Sequence, residues 1–477
     1  MSNDDAVVVP TASGLVKGMK TTQGARFLGI PYAKPPVGEL RFAAPQPPEP
    51  WQEPLEAYEY GPTAQRKPLS EMTIIPEPSI PGEGILNLNV FTPDVTGKRP
   101  VLVWIHGGGF VGGSAASPWY DGASFNRDGV VLVSVGYRLG VEGFLHLEGA
   151  PDNRGVLDWV AALEWVRDNI AAFGGDPAQV TIAGQSAGGG AVLTLLATPA
   201  AQGLFRAAIS VSGAVMHEQD RAAGLRVAEL FTRRTGVPAT VEALRGLTDD
   251  ELLALQDKLT APGPDNVLPL TVAPFADGQV VPVPVRDALR SGAAGRVPLV
   301  LGFTRDEFSM IPMPDEHALP VLAGFGLVGE RAEAFAAHYG PGRLLGQALT
   351  DGLFRSFGVD LADGRAEQGL PTWLYEFDWS SGEAGGFLPG DLALHCLDLP
   401  FAFDLLGAPG VAAVAGGNPP QALADAMHGA WVSFIRDLDP GRSWPRYTVE
   451  ERATMIWDVE PQVRPDALGG VRELWGR

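Results

Sequence analysis

The sequence predicts an α/β protein with a mostly parallel central sheet, helices on both faces and helical insertions. Three observations predict it. Short, mostly uncharged runs, several rich in β-branched residues, recur along the 477 residues with helix-forming stretches between them, and such alternation builds crossovers between parallel strands. The runs are mostly uncharged and apolar rather than strictly alternating with polar residues, as expected of strands covered on both faces. One run passes into a helical stretch through the five-residue turn Gly184-Gln185-Ser186-Ala187-Gly188.

The first clear strands are residues 101–105 and 130–135, both rich in Val, Leu and Ile. Residues 156–173 follow, with Val156, Leu157, Val160, Leu163, Trp165, Val166 and Ile170 at roughly helical spacing, which predicts an amphipathic helix. Residues 180–183 form the strand before the turn. Residues 189–196, small and then helix-forming, make the helix after it. Further strands are expected at 207–211, 297–302 and 373–377. Two helix-rich regions, about 216–260 and 315–370, read as insertions that roof the sheet. The Pro-rich stretch 45–50 and the loop 62–81 cannot join central strands, because proline donates no ladder hydrogen bond; both are placed on the surface. No repeat or low-complexity linker divides the chain, so residues 1–477 are expected to form one domain.

Acidic residues outnumber basic ones, 56 against 35, for a net charge of −21. Binding phosphates takes clustered Lys and Arg, so nucleic acid and anionic membranes are not expected partners. A charge of this size serves solubility; steering of cationic ligands is its other use. The one cysteine, Cys396, permits no intrachain disulfide and no Cys-based metal cluster. The first residues are acidic and polar, unlike a secretory signal. The longest uncharged stretch, 177–205, is interrupted by the turn glycines and Pro199, which fits a buried strand-turn-helix rather than a membrane span. The expectation is a soluble, cytoplasmic protein with no metal and no cofactor. Oligomeric state leaves no mark in composition.

A G-x-S-x-G pattern between a strand and a helix is a nucleophile elbow. The turn strains the serine backbone and lifts its hydroxyl to the strand end, and glycines flank it because side chains there would collide with neighbouring elements. A serine hydroxyl is a weak nucleophile, so Ser186 implies a base, an acid to orient the base, and donors for an oxyanion. His106-Gly107-Gly108-Gly109-Phe110 directly follows the 101–105 strand, and consecutive glycines leave backbone N–H groups open to a ligand. The amides of Gly108, Gly109 and Ala187 are the candidate oxyanion donors, each worth roughly 3–4 kcal/mol. Gly107, Gly109 and Gly112 also match a dinucleotide fingerprint, which requires a helix opening at the glycines and an acid at the end of the next strand. Residues 114–122 form helices poorly, and the next strand runs into Gly136-Tyr137-Arg138, so that reading is set aside. The residues alone do not single out a base among seven histidines.

Together these motifs resemble the type-B carboxylesterases, the α/β-hydrolase family that includes bacterial para-nitrobenzyl esterases, liver carboxylesterases and cholinesterases. The likeness runs from about Gly14 to Asp458 and takes in 27–33, Leu88-Asn89-Val90-Phe91, Tyr137-Arg138-Leu139-Gly140 and Phe173-Gly174-Gly175-Asp176-Pro177. The resemblance implies an acid at Glu307, in Arg305-Asp306-Glu307, with Asp306 as the rival carboxylate. It implies a base at His395, in His395-Cys396-Leu397-Asp398-Leu399-Pro400-Phe401, and an orienting serine beside the acid at Ser212. The order Ser186, Glu307, His395 is the Ser–acid–His order of the fold. His106 reads as a structural hydrogen-bonding residue, and Cys396 as a small buried residue whose oxidation would disturb His395.

Two departures bear on substrate. Many relatives carry Glu before the nucleophile; here it is Gln185, whose neutral amide supports an imidazolium less and attracts cations less. The segment from Gln65 to Glu83 lacks the cation-binding Trp of cholinesterases, and Ile85 stands where their loop cysteine would be. The expected activity is therefore a serine carboxylesterase acting on small, uncharged carboxylic esters through an acyl-enzyme. Carbamates, amides or larger esters would use the same triad. A non-catalytic interaction protein on this fold is the reading from another class, and the joint presence of Ser186, Glu307 and His395 counts against it.

Overall fold

Every strand-like run singled out in the sequence lies in one sheet. The structure is a computed structural model and describes residues 6–64, 67, 74–213, 220–261, 270–293, 295–309, 315–340, 342–382 and 390–475. Among them thirteen strands form: β1 Ala6–Thr11, β2 Gly14–Thr21, β3 Gly24–Pro31, β4 Leu55–Glu56, β5 Asn87–Thr92, β6 Arg99–Ile105, β7 Val131–Val135, β8 Gly175–Gln185, β9 Ala207–Val211, β10 Leu299–Thr304, β11 Thr372–Phe377, β12 Ala453–Trp457 and β13 Gln462–Pro465. Their order is β1-β2-β3-β5-β7-β6-β8-β9-β10-β11-β12-β13, with β4 beside β2. The seven strands from β7 to β12 in that order run parallel. Antiparallel β1, β2, β3 and β5 extend one side, and β13 closes the other.

The pleat sends alternate residues of each central strand to opposite faces. On β6, Val101, Val103 and Ile105 enter one core, while Leu102 and Trp104 enter the other. The first core is completed by Val156, Trp159 and Leu163 of the helix Arg154–Asn169 and by Leu193 and Leu196 of the helix Ala187–Ala197. The second takes Leu423, Met427 and Trp431 from the helix Gln421–Asp437. Each fully buried side chain of this kind contributes about 1.5–3 kcal/mol of transfer free energy. Burial on both faces is why the parallel strands read as mostly uncharged, apolar runs.

The antiparallel strand β2 gave no such run. In β2, Leu15, Lys17 and Met19 alternate with the buried Val16 and Gly18, because one face of that hairpin meets solvent. Of the two helical insertions, the first contributes Arg221–Thr235, Val241–Leu244 and Asp249–Thr260; residues 216–219 lie outside the described residues. The second ends in Ser356–Glu367, which packs against β10 and β11 and so covers a sheet face rather than roofing it. The loop 62–81 is described except for 65, 66 and 68–73. No helix opens at Gly107–Gly112: residues 114–122 form turns and the short 3-10 helix Pro118–Tyr120. The structural requirement of the dinucleotide fingerprint is absent there.

Candidate active site

Register places the chemistry. In the parallel ladder Ile105 lies beside Gly184, Gln185 beside Val211, and Val211 beside Gly302. The loop after β6, the turn after β8, the residue after β9 and the turn after β10 therefore meet at one end of four adjacent strands. They carry the Gly107–Gly109 loop, Ser186, Ser212 and Glu307 respectively. This is the carboxyl end of the sheet, where open α/β folds bind their ligands.

Ser186 has φ 58° and ψ −122°, a backbone conformation side chains rarely adopt; strain of this kind costs about 1–3 kcal/mol and persists only where the surroundings enforce it. The surroundings here are tight. A Cβ on Gly184 would sit 2.3 Å from the Gly188 carbonyl oxygen, and one on Gly188 only 2.0 Å from that of Ile105. The helix Ala187–Ala197 can thus press its first turn directly onto β6. Ser186 is partly exposed, as are Gly108 and Gly109, whereas Ala187, Gln185 and Glu307 are buried. Access from solvent converges on the serine and the glycine loop. Gly108 (φ 114°) and Gly109 (φ 60°) take left-handed conformations that turn the loop, and their amides and that of Ala187 donate to no acceptor among the described residues.

His395 and Glu307 are joined by a hydrogen bond from Nδ1 to Oε2. Glu307 Oε1 accepts from the Thr304 amide at 3.0 Å, and the Glu307 carbonyl accepts from the His395 amide at 3.0 Å. Asp306 faces elsewhere. It accepts from Arg305 Nε at 2.8 Å and from the Ala393 amide at 3.0 Å, tying the β10 turn to the segment that carries His395. Of the two carboxylates, only Glu307 touches the imidazole. Burial opposes a charge on His395, whereas Cys396 and the Glu307 carboxylate favour it, and the net direction is well above the ordinary imidazole range.

Asp398, fully buried, accepts from Tyr375 Oη at 2.8 Å. Burial, and then the charge of Glu307, pushes its carboxyl up to about 7. Cys396 (φ 71°) is buried, and burial raises its thiol. His106 is the opposite of a base: burial drives it down to about 4, its Nδ1 engages the Gly107 carbonyl at 2.8 Å, and its ring stacks on Tyr137. Ser212 is buried with φ 44°, and its hydroxyl has no hydrogen-bond partner among the described residues, so no contact with Glu307 is formed.

Three contacts went unseen in the sequence. The Gln185 side-chain amide donates to His395 Nε2 at 3.0 Å. Phe308 and Phe354 pack on the imidazole, with ring centroids 4.9 and 5.1 Å away. Phe308 follows Glu307 directly and was there to be considered. Phe354 arrives on the π-helical turn Asp351–Arg355 of the second insertion, and no local signal links it to His395. Among the described residues no three His, Cys, Asp or Glu side chains gather as a metal site, and no helix is long and apolar enough to cross a membrane.

A serine on a strained strand-to-helix turn, a glycine loop after the neighbouring strand and a histidine bonded to a strand-end glutamate place the molecule among α/β hydrolases. A profile of the Carboxylesterase family matches residues 5–318. The para-nitrobenzyl esterase of Bacillus subtilis (strain 168) is 37% identical over 484 residues, covering 96% of each chain. The phenmedipham hydrolase of Pseudarthrobacter oxydans is 34% identical, covering 90% of each. A solved PNB esterase structure superposes with a TM-score of 0.88 at 36% identity, over 98% of this chain and 99% of that one. The chain belongs to the carboxylesterase family. It is a carboxylic ester hydrolase of the serine type.

Proposed function

We propose that Ser186 is the nucleophile, His395 the general base and acid, and Glu307 the residue that orients the imidazole, with Gly108, Gly109 and Ala187 binding the oxyanion. The observation that carries this reading is the Glu307–His395 hydrogen bond at the strand end beside the Ser186 turn. Oγ attacks the ester carbonyl as His395 Nε2 takes its proton. The carbonyl electron pair moves onto oxygen, facing the three amides that have no other acceptor. Collapse expels the alkoxide, which receives the Nε2 proton and leaves an acyl ester on Ser186. Water then repeats the sequence and releases the acid. Glu307 fixes the Nδ1–H tautomer throughout and stabilises the imidazolium without taking its proton. Asp306 holds the Ala393 amide in this scheme, and the Ser212 hydroxyl contributes no hydrogen bond to Glu307.

An organophosphonate tests the nucleophile. Intact mass should show one adduct, mapped to the peptide with Ser186 and abolished by Ser186→Ala. Labelling elsewhere, or none in folded protein, would sink the assignment.

The preferred substrates in this reading are small, uncharged esters, since Gln185 puts a neutral amide where a carboxylate would attract cations. Butyrylcholine should therefore be turned over no faster than its uncharged carbon isostere, 3,3-dimethylbutyl butyrate. A strong preference for the cation in kcat/KM would refute the point. The reading takes the chain as one catalytic domain on the single sheet. It places the protein in the cytoplasm, supported by a lone free cysteine, and excludes nucleic acid as partner on the net charge of −21.

A further inference from the structure

The nitrogen that must receive the Ser186 proton is already occupied. His395 Nδ1 is held by Glu307, and Nε2 lies 3.0 Å from the Gln185 side-chain nitrogen. No hydrogen bond from Ser186 Oγ to His395 is formed among the described residues. An imidazole with its proton on Nδ1 offers a lone pair at Nε2, so an amide N–H of Gln185 donates into the acceptor that catalysis needs. Gln185 is buried beside the oxyanion loop: it is 1% exposed, and a Cβ on Gly107 would stand 2.9 Å from its Oε1.

We propose that Gln185 biases the base toward its neutral form, against Glu307: its amide N–H caps the His395 Nε2 lone pair, and acylation begins by exchanging that hydrogen bond for one from Ser186 Oγ. The inference rests on the roles given above to Ser186 and His395. The proton accounting is simple. In the neutral base Nε2 carries no proton and accepts one hydrogen bond from Gln185. As Oγ bonds to the carbonyl carbon, its proton passes to Nε2, and the imidazolium N–H now faces an amide N–H that cannot accept it. The amide must withdraw or turn its oxygen inward before Nε2–H can be stabilised from that side. A hydrogen bond to the neutral form lowers basicity, as surely as one to the charged form raises it. Gln185 therefore works against the Glu307 carboxylate, on the opposite nitrogen of the same ring.

A carboxylate at position 185 has no proton to donate at neutral pH and would favour only the imidazolium. The other titratable groups around the ring are Glu307 on the β10 turn and Cys396 and Asp398 on the segment of His395 itself, with Tyr375 of β11 reaching it through Asp398. Phe308 and Phe354 close the remaining sides with apolar rings. None of these changes in a Gln185 variant, so a shift of the base is attributable to position 185.

The test is the pH dependence of the second-order rate of organophosphonate labelling, which reports the free enzyme, beside that of kcat/KM for a p-nitrophenyl ester. Wild type is compared with Gln185→Glu and the near-isosteric Gln185→Leu. Gln185→Glu should move the acidic limb up by at least about one pH unit, a tenfold loss below the limb. Gln185→Leu, which removes the donor without adding charge, should move it up by less. Both variants should still label to one adduct, which also shows that they fold. An unchanged limb in both, with full labelling, overturns the Gln185 proposal and leaves Ser186 as nucleophile. A downward shift in Gln185→Leu overturns it equally. Failure of wild type to label at Ser186 would instead remove the reading on which the proposal rests.

Discussion

Glu307→Gln is expected to lower kcat by about 10⁴-fold and to leave KM nearly unchanged, whereas Asp306→Asn should keep kcat within about tenfold of wild type. The magnitude is that of losing the group that selects a catalytic histidine tautomer. A Gln side chain can present its own N–H to Nδ1, which moves the imidazole proton to Nε2 and leaves no lone pair for Ser186. Asp306 makes no contact with the ring; its oxygens hold Arg305 Nε and the Ala393 amide. Asp306→Asn gives up one charge-assisted hydrogen bond of about 1.5–3 kcal/mol, which a thermal melt reads as lost stability. The pH profile separates the two roles further. The Glu307 carboxylate raises His395 against the opposing effect of burial. Without it only Cys396 opposes burial, and the acidic limb of kcat/KM moves to lower pH. Asp306→Asn leaves the limb in place. The reverse ranking in kcat, with the limb moving in Asp306→Asn, would exchange the two assignments.

That Glu307 rather than Asp306 faces the imidazole is a matter of one residue in a turn, and the sequence could only rank the two by resemblance. The parts legible without resemblance were those fixed by local sterics. Gly184 and Gly188 flank Ser186 because neighbouring backbone leaves no room for Cβ, and consecutive glycines after β6 announce an open amide loop. Six of the seven parallel strands, β6 to β11, were legible because they are buried on both faces; β12, equally buried, was not singled out. The antiparallel strand β2 was not legible, since it sets Lys17 between Leu15 and Met19 on a face that meets water. His395 lies 209 positions beyond Ser186, and the two segments approach only because β9 lies beside β8 and β10 beside β9. Phe354 and the Gln185–His395 contact are tertiary in the same sense. Gln185 drew notice as a neutral residue where relatives carry a charge, but nothing in the pentapeptide says that its amide points at the base.

Gly188→Ala is the substitution expected to cost the most stability for the fewest atoms. A Cβ at this position would lie 2.0 Å from the Ile105 carbonyl oxygen, 2.8 Å from that of His106 and 2.9 Å from the His106 carbonyl carbon. All three are backbone atoms at the end of β6, so no side chain can swing aside. Relief requires the helix Ala187–Ala197 to lift off the sheet by about an ångström, opening voids against a core packed at crystal-like density. The expected loss exceeds about 4 kcal/mol, in the range reserved for overpacked cores and strained sites. Any fraction that still folds should label poorly, because Ser186 and the Ala187 amide ride on that helix and a displacement of about 1 Å can cost 10²-fold in rate. Gly203→Ala is the control. Gly203 has φ 82° but nothing within 4 Å of its Cβ position, so its cost is conformational alone, about 1–2 kcal/mol. The paired melts distinguish a glycine kept for its backbone angle from one kept for the space it leaves. Equal melting temperatures for the two variants would mean that contact between the elbow helix and β6 is not what holds Ser186 in its strained turn.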